Sequence, residues 1–356
     1  MDDGVLDEAL VALAGFAPEY GAGFSNHGPM AAEALVRLGR GDDVARFVDT
    51  YRRRLEPAPG PGRAPGADDL EGALGMHDRW ADWLALFERE LDGRPEVSVV
   101  AEWVPRLAPG TVGAATHGLI RTAHALRSLL TPQGAAAPGG SEAGSLRRHE
   151  MAEGLAYWAA TYQELPGPPL LVGRDGVTAA VARLPTLPEE APEEPFITER
   201  VRYLDMVAAP FEQAVASLGA PRDLHAALTA LAVQGAVAYV ANAGGGHEIA
   251  LVHAVTAPMA LDLLLPVLHP GDRPVAFAYG WQAVAALHTA YATVRIDPGE
   301  HQPEEAPPDA AQLAAAAVDS GDEHAIKLAE AALRVHLATG DLTPLEAAAD
   351  AAVRLR

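Results

Sequence analysis

The chain contains no cysteine, and among its 356 residues there is a single lysine, Lys327, beside 25 arginines. Without cysteine there is no disulfide framework, no thiolate metal ligation and no thiol nucleophile. Cations are scarce as a class: Lys plus Arg is 26 against 48 Asp plus Glu, a formal charge of −22. So acidic a surface repels phosphate backbones and anionic lipid, so nucleic acid and membranes are not expected partners. Clean membrane-length apolar runs are lacking too. Ala226–Val240 is short and carries Gln234, and Ile249–Leu268 is interrupted by His253, Pro258, Asp262 and Pro266. Both read as core helices rather than spans of about 20 apolar residues. The opening MDDGVLDEAL is acidic where a signal peptide is basic. The expectation is a soluble, cytoplasmic protein.

Recognisable catalytic motifs are missing as well. No G-x-G-x-x-G follows a strand; Gly244-Gly245-Gly246 lacks the spaced third glycine and the βαβ setting, so NADPH, NAD or flavin binding has no motif behind it. There is no Walker A, no H-E-x-x-H and no G-x-S-x-G, Gly140–Gly144 having the wrong register. The H-x-D/E opening of a two-histidine, one-carboxylate iron site is absent. A metal site in this chain has to be assembled from distant segments.

Helical periodicity is abundant, with apolar residues at i, i+3, i+4 and i+7. It predicts helices over Pro29–Arg40, Asp42–Leu55, Trp80–Leu91, Thr111–Leu130, Leu146–Leu165, Glu199–Leu218, Arg222–Val240, Val275–Arg295, Asp322–Leu337 and Pro344–Leu355. Asn26, Thr111, Asp322 and Thr343 before Pro344 supply caps. Strand signals are scarce, the best being Leu170–Thr178, a small hairpin about Arg-Asp-Gly. Proline- and glycine-rich stretches at 56–69, 131–144, 184–195 and 297–309 read as loops or mobile insertions. None marks a change of composition and no fixed-period repeat is present. The expected fold class is all-α, a single multi-helix domain over residues 1–356, with a two-lobed array split near residue 190 as the alternative.

Of thirteen histidines, His77, His149, His269 and His301 sit among charges, prolines or loop residues and read as surface. His27, His117, His253 and His288 lie in apolar surroundings, where an imidazole must be hydrogen-bonded or ligated to offset its burial. One such residue is accounted for by a hydrogen bond in the core. Four of them in a helical chain also match the way bundles build metal sites. Composition and spacing leave both readings open. His124 shares a helix face with His117 and is a supporting partner; His225 and His247 stay ambiguous, and His336 reads as peripheral.

Gly321–Leu328 carries Glu323, His324 and Lys327. As a surface i,i+4 pair, Glu323 and Lys327 stabilise by a few tenths of a kcal/mol. Against that stands the solitude of Lys327: arginine replaces lysine wherever any cation serves, and only lysine can shed its proton to become a neutral amine.

Asn26-His27-Gly28-Pro29, Thr116-His117-Gly118-Leu119-Ile120, His253-Ala254-Val255-Thr256 and Asp322-Glu323-His324-Ala325-Ile326-Lys327, in that order, with His288 before the last, resemble the questin oxidase-like family of aromatic polyketide enzymes. The likeness runs from about residue 15 to 340. It implies a helical fold and a non-haem Fe(II) held by His27, His117, His253, His288 and the carbamate that Lys327 forms with CO₂. Zn, Mn, Co or Ni are further occupants such ligands accept. Arg121, His124, Glu323, His324 and Trp281 are candidates for the surrounding shell or pocket. Trp80, Trp103, Trp158, Phe277, Tyr279 and Tyr291 are further aromatics for a pocket or, equally, for the core. The chain departs from fungal members in its shorter N-terminus and in Arg121, four residues after His117, where a second histidine is common.

The implied activity is an iron-dependent dioxygenase, with O₂ and a polycyclic aromatic, anthraquinone-like polyketide as substrates and a C–C bond cleaved. An NADPH-dependent Baeyer–Villiger-type monooxygenase and a non-catalytic helical binding protein are the alternatives.

Overall fold

The computed structural model describes residues 3–131, 142–296 and 307–356. The chain is all-α, apart from a two-stranded antiparallel ribbon, Glu19–Tyr20 with Phe24–Ser25. One continuous apolar core runs from Leu6 to Ala351. Leu224–Asn242 and Glu248–Val267 are long and apolar enough to cross a membrane by composition, yet 61% and 78% of their apolar windows are buried inside the protein.

Five helices position the site: Gly28–Arg37, His117–Leu129, Glu142–Ala160, Glu248–Leu264 and Glu323–Thr339. The His117 helix crosses Glu142–Ala160 at glycines on both sides. A Cβ on Gly118 would lie 2.4 Å from Trp158 Cα, and one on Gly154 2.7 Å from the Thr122 nitrogen. Small residues here let two backbones meet at a distance that side chains forbid. Asp322 caps the Lys327 helix by accepting hydrogen bonds from the His324 and Ala325 amides.

Three local expectations are corrected. Leu170–Thr178 is not a hairpin: Gly173 and Asp175 donate to Leu218 and Ser217 instead, and Val177–Ala182 is helical. Gly173 makes this pairing feasible, since any Cβ there would strike the Ser217 carbonyl at 1.8 Å. Glu199–Leu218 is broken into Ile197–Arg200, a 3-10 stretch Val201–Val207 and Ala208–Ser217. Thr111 caps no α-helix; the helix begins at His117 after a left-handed turn.

The loops 56–69 and 184–195 have little regular structure but lie against the body, as when Leu187 N donates to Thr289 O. Most of 131–144 and of 297–309, with His301, falls outside the described residues.

Candidate metal centre

His27 stands at the N-cap of Gly28–Arg37, two residues after the end of the ribbon strand Phe24–Ser25. Its amide donates to the Tyr51 hydroxyl at 2.7 Å, and its Nδ1 lies 2.5 Å from the Ser25 carbonyl. His253, inside its helix, places Nδ1 2.7 Å from Ile249 O. His117 Nδ1 is hydrogen-bonded to Ala114 O and lies 3.0 Å from Ser25 Oγ. Each Nδ1 therefore faces a carbonyl oxygen, which only accepts, so each carries the proton and leaves Nε2 as a bare lone pair.

Those three lone pairs point at one another. His117 Nε2 is 2.7 Å from His27 Nε2 and 2.9 Å from His253 Nε2. Protonation would relieve the repulsion, but burial, and after it the neighbouring cationic groups, hold His27 and His117 well below the ordinary imidazole range, as for His253. What suits three convergent imidazole lone pairs is a cation. Two nitrogens about 2.1 Å from a metal and at a right angle to each other stand about 3.0 Å apart, close to the separations here.

The fourth ring is His324, with its centroid 4.6 Å from that of His27 and 5.5 Å from that of His253. Its Nδ1 lies 3.4 Å from Asp322 Oδ1, without hydrogen-bond geometry. His27, His117, His253 and His324 form a buried group that could hold a metal ion, and Asp322 and Glu323 offer carboxylates next to His324.

His288 is not in this group. It is buried with an unpartnered Nε2, and its proton affinity is pushed down to about 4 by burial and then by Arg295, with no contribution from the other histidines. Its helix, Arg273–Tyr291, is buried nearly all round, and His288 does not line the cavity that the other four histidines share.

Lys327, one turn after His324, is 1% exposed and its Nζ has no hydrogen-bond partner. Burial drives its amine down to about 7, with Glu323 and Asp322 opposing. Its charge is also among the causes that lower His27, His117 and His253. Glu323 is buried, 4.0 Å from His27 Nδ1 and 3.5 Å from Arg54.

The other shell candidates divide. His124 Nδ1 meets Glu33 at 2.7 Å, and Glu33 also binds Arg127, which reaches Glu330. Arg121 is held by Glu150 through two hydrogen bonds, 2.6 and 2.8 Å, behind the site. Trp281 is a core residue whose indole donates to Val215 O.

A cavity of about 630 Å³ opens from the histidines, lined by His27, His117, His253, His324 and Glu323 at its inner end. Its aromatic walls are Tyr20, Phe24, Tyr157, Tyr162, Phe196 and Tyr291. Of the aromatics expected there, Tyr291 is in place, whereas Trp80, Trp103, Trp158, Trp281 and Phe277 belong to the core, and Tyr279 lies outside the lining. Ser25, Tyr51, Tyr157 and Glu19 were not legible as site residues; no periodicity or motif sets them apart.

Ala114, Ala115 and Thr116 have φ of 44°, 55° and 70°, the only non-glycine residues with positive φ among those described. This strained turn directs the Ala114 carbonyl back onto His117 Nδ1.

Comparison of the chain with protein-family models and with curated proteins gives no match.

Proposed function

We propose that the protein is an oxygenase of the questin oxidase-like kind, using Fe(II) and O₂ to cleave a C–C bond in a polycyclic aromatic polyketide. The observation that carries this reading is the convergence of three Nε2 lone pairs, each tautomer set by a backbone carbonyl. His27, His117, His253 and His324 would hold the metal, His324 standing where His288 was expected. Imidazoles with an oxygen ligand suit Fe(II), and Zn, Mn, Co and Ni also accept such a set.

Lys327 supports the same reading. An amine near neutrality adds to CO₂, forming an N–C bond and releasing one proton to give an anionic carbamate. That anion would supply an oxygen donor from a side chain that otherwise leaves Nζ unsatisfied. When bound, the metal supplies redox chemistry towards O₂ and a Lewis-acid position. The aromatic walls would hold a flat ring system and exclude water, as a largely apolar pocket with a few polar groups does.

The test is metal analysis of freshly purified protein, with oxygen consumption followed on addition of a hydroxylated anthraquinone. About one metal per chain is expected, with uptake that requires iron. Protein that binds no divalent metal even after anaerobic loading would overturn the reading.

A further inference from the structure

A line of hydrogen bonds leads away from the histidines along the cavity wall. His117 Nδ1 lies 3.0 Å from Ser25 Oγ, Ser25 Oγ 2.7 Å from the Tyr157 hydroxyl, and Tyr157 donates to Glu19 Oε1 at 2.7 Å. Glu19 Oε2 is in turn 2.8 Å from His77 Nε2. The inner members are buried, Ser25 at 6% and Tyr157 at 1% exposure, while the His77 side chain is 58% exposed. The line starts at the candidate metal centre and ends in solvent.

Its polarity follows from donor counting. Tyr157 has one proton and gives it to the Glu19 carboxylate, so in the Ser25–Tyr157 bond Ser25 must donate. His117 Nδ1 holds a proton of its own, so Ser25 Oγ receives towards the cavity and donates away from it. Every bond is therefore aligned to move a proton out of the cavity towards Glu19. Burial, and then the Glu19 charge, keep Tyr157 well above the ordinary phenol range, so it conducts a proton without resting as phenolate.

We propose that Ser25, Tyr157 and Glu19 form a proton relay that ionises a hydroxyl group of the aromatic ligand beside the histidines. The relay rests on the functional reading above and adds to it the feature the ligand must carry, an acidic phenolic or enolic O–H. In the step, the ligand O–H bond breaks and its proton goes to Ser25 Oγ. Ser25's own proton moves to the Tyr157 oxygen, and Tyr157's moves to Glu19. The products are a ligand oxyanion and a neutral Glu19, which hands the proton through His77 to water. A wired path is needed here because an aromatic ligand filling the cavity displaces the water that would otherwise carry the proton. An oxyanion is also the more electron-rich form for attack by O₂.

The experiment compares 2-hydroxyanthraquinone with 2-methoxyanthraquinone, without oxygen, on metal-bearing wild type, Tyr157→Phe and Glu19→Gln. The hydroxyl dye changes its visible absorption on ionisation, so its bound form is read without turnover. Wild type is expected to hold it as the anion about one pH unit below the free dye's pKa, and at least about tenfold more tightly than the methyl ether. Both variants should bind the neutral dye with that preference lost, and should keep their metal, since neither residue is a ligand. Glu19→Gln preserves shape and still accepts from Tyr157 but cannot take the proton.

Equal binding of the two probes by wild type would overturn the relay while leaving the metal reading intact. So would variants that still hold the anion, or metal loss in Glu19→Gln, which would make Glu19 part of the holding structure. Failure of wild type to bind either probe would overturn the relay together with the aromatic ligand it presupposes.

Discussion

Lys327 Nζ is an amine sealed in the core with no hydrogen-bond partner, and such a group costs free energy. Two substitutions separate the costs. Lys327→Arg cannot form a carbamate, because guanidinium stays protonated; metal content and oxygen uptake should both fall to near background. Lys327→Met keeps the volume and removes the orphaned polar atom, so the metal-free protein should gain about 1 kcal/mol or more in denaturant unfolding while losing the metal. Unchanged metal in both variants would reduce Lys327 to a packing residue.

The turn at Ala114–Thr116 is a second residue-scale cost. Ala115 sits at φ 55°, where an L-residue is strained by about 1–2 kcal/mol. Ala115→Gly should therefore raise unfolding stability slightly, by about 0.5 kcal/mol after glycine's entropic cost. The same change at Ala125, in the following helix, should lower it by about 1 kcal/mol. A loss at Ala115 as large as that at Ala125 would show that the turn stores no strain.

Among elements, the three helices carrying His117, His324 and the His27 cap are tied by one buried ion cluster. Glu33 binds His124 and Arg127, and Arg127 also pairs with Glu330 on the Lys327 helix. Burial pushes Glu33 upward, but Arg127 and the His124 hydrogen bond prevail and hold it far below the usual carboxylate range. Folded protein thus binds fewer protons at Glu33 than unfolded protein, whose carboxyl titrates near about 4.3. The contribution is whole above that value and drains away as pH falls. Glu33→Gln should cost about 1.5–3 kcal/mol near pH 7, where Arg127 loses one of its two buried carboxylate partners, and should flatten the loss of stability below about pH 5. Acid unfolding curves of the two proteins check this; parallel curves would remove Glu33 from the account. Metal affinity should fall with it, since the cluster sets the spacing of ligand-bearing helices.

At the scale of the whole molecule, repulsion among the imidazole lone pairs opposes folding until a cation occupies them. A ligand that binds only the folded state at 100 times its dissociation constant adds about 2.7 kcal/mol. Chelation should therefore lower Tm by about 3–4 °C, with recovery on adding Fe(II) or Zn. A Tm indifferent to chelator and metal would speak against any cation between the histidines.

The sequence by itself determined the all-helical class, the absence of thiol chemistry and three of the four clustered histidines. It also singled out Lys327. Period and composition suffice for these, because an amphipathic pattern specifies a helix and its buried face. The choice of His324 over His288 lay beyond it. The Arg273–Tyr291 helix is buried nearly all round, so its pattern has no clear phase from which to tell where His288 points. His324 was placed beside a ligand rather than as one, although its i,i+3 spacing to Lys327 sets both on one face. The strained turn, the Ser25–Tyr157–Glu19 line and the Glu33 cluster were decided only in three dimensions. Their partners are separated by 92 to 203 residues in most of these bonds, and no local preference encodes a contact that exists only once distant helices have packed.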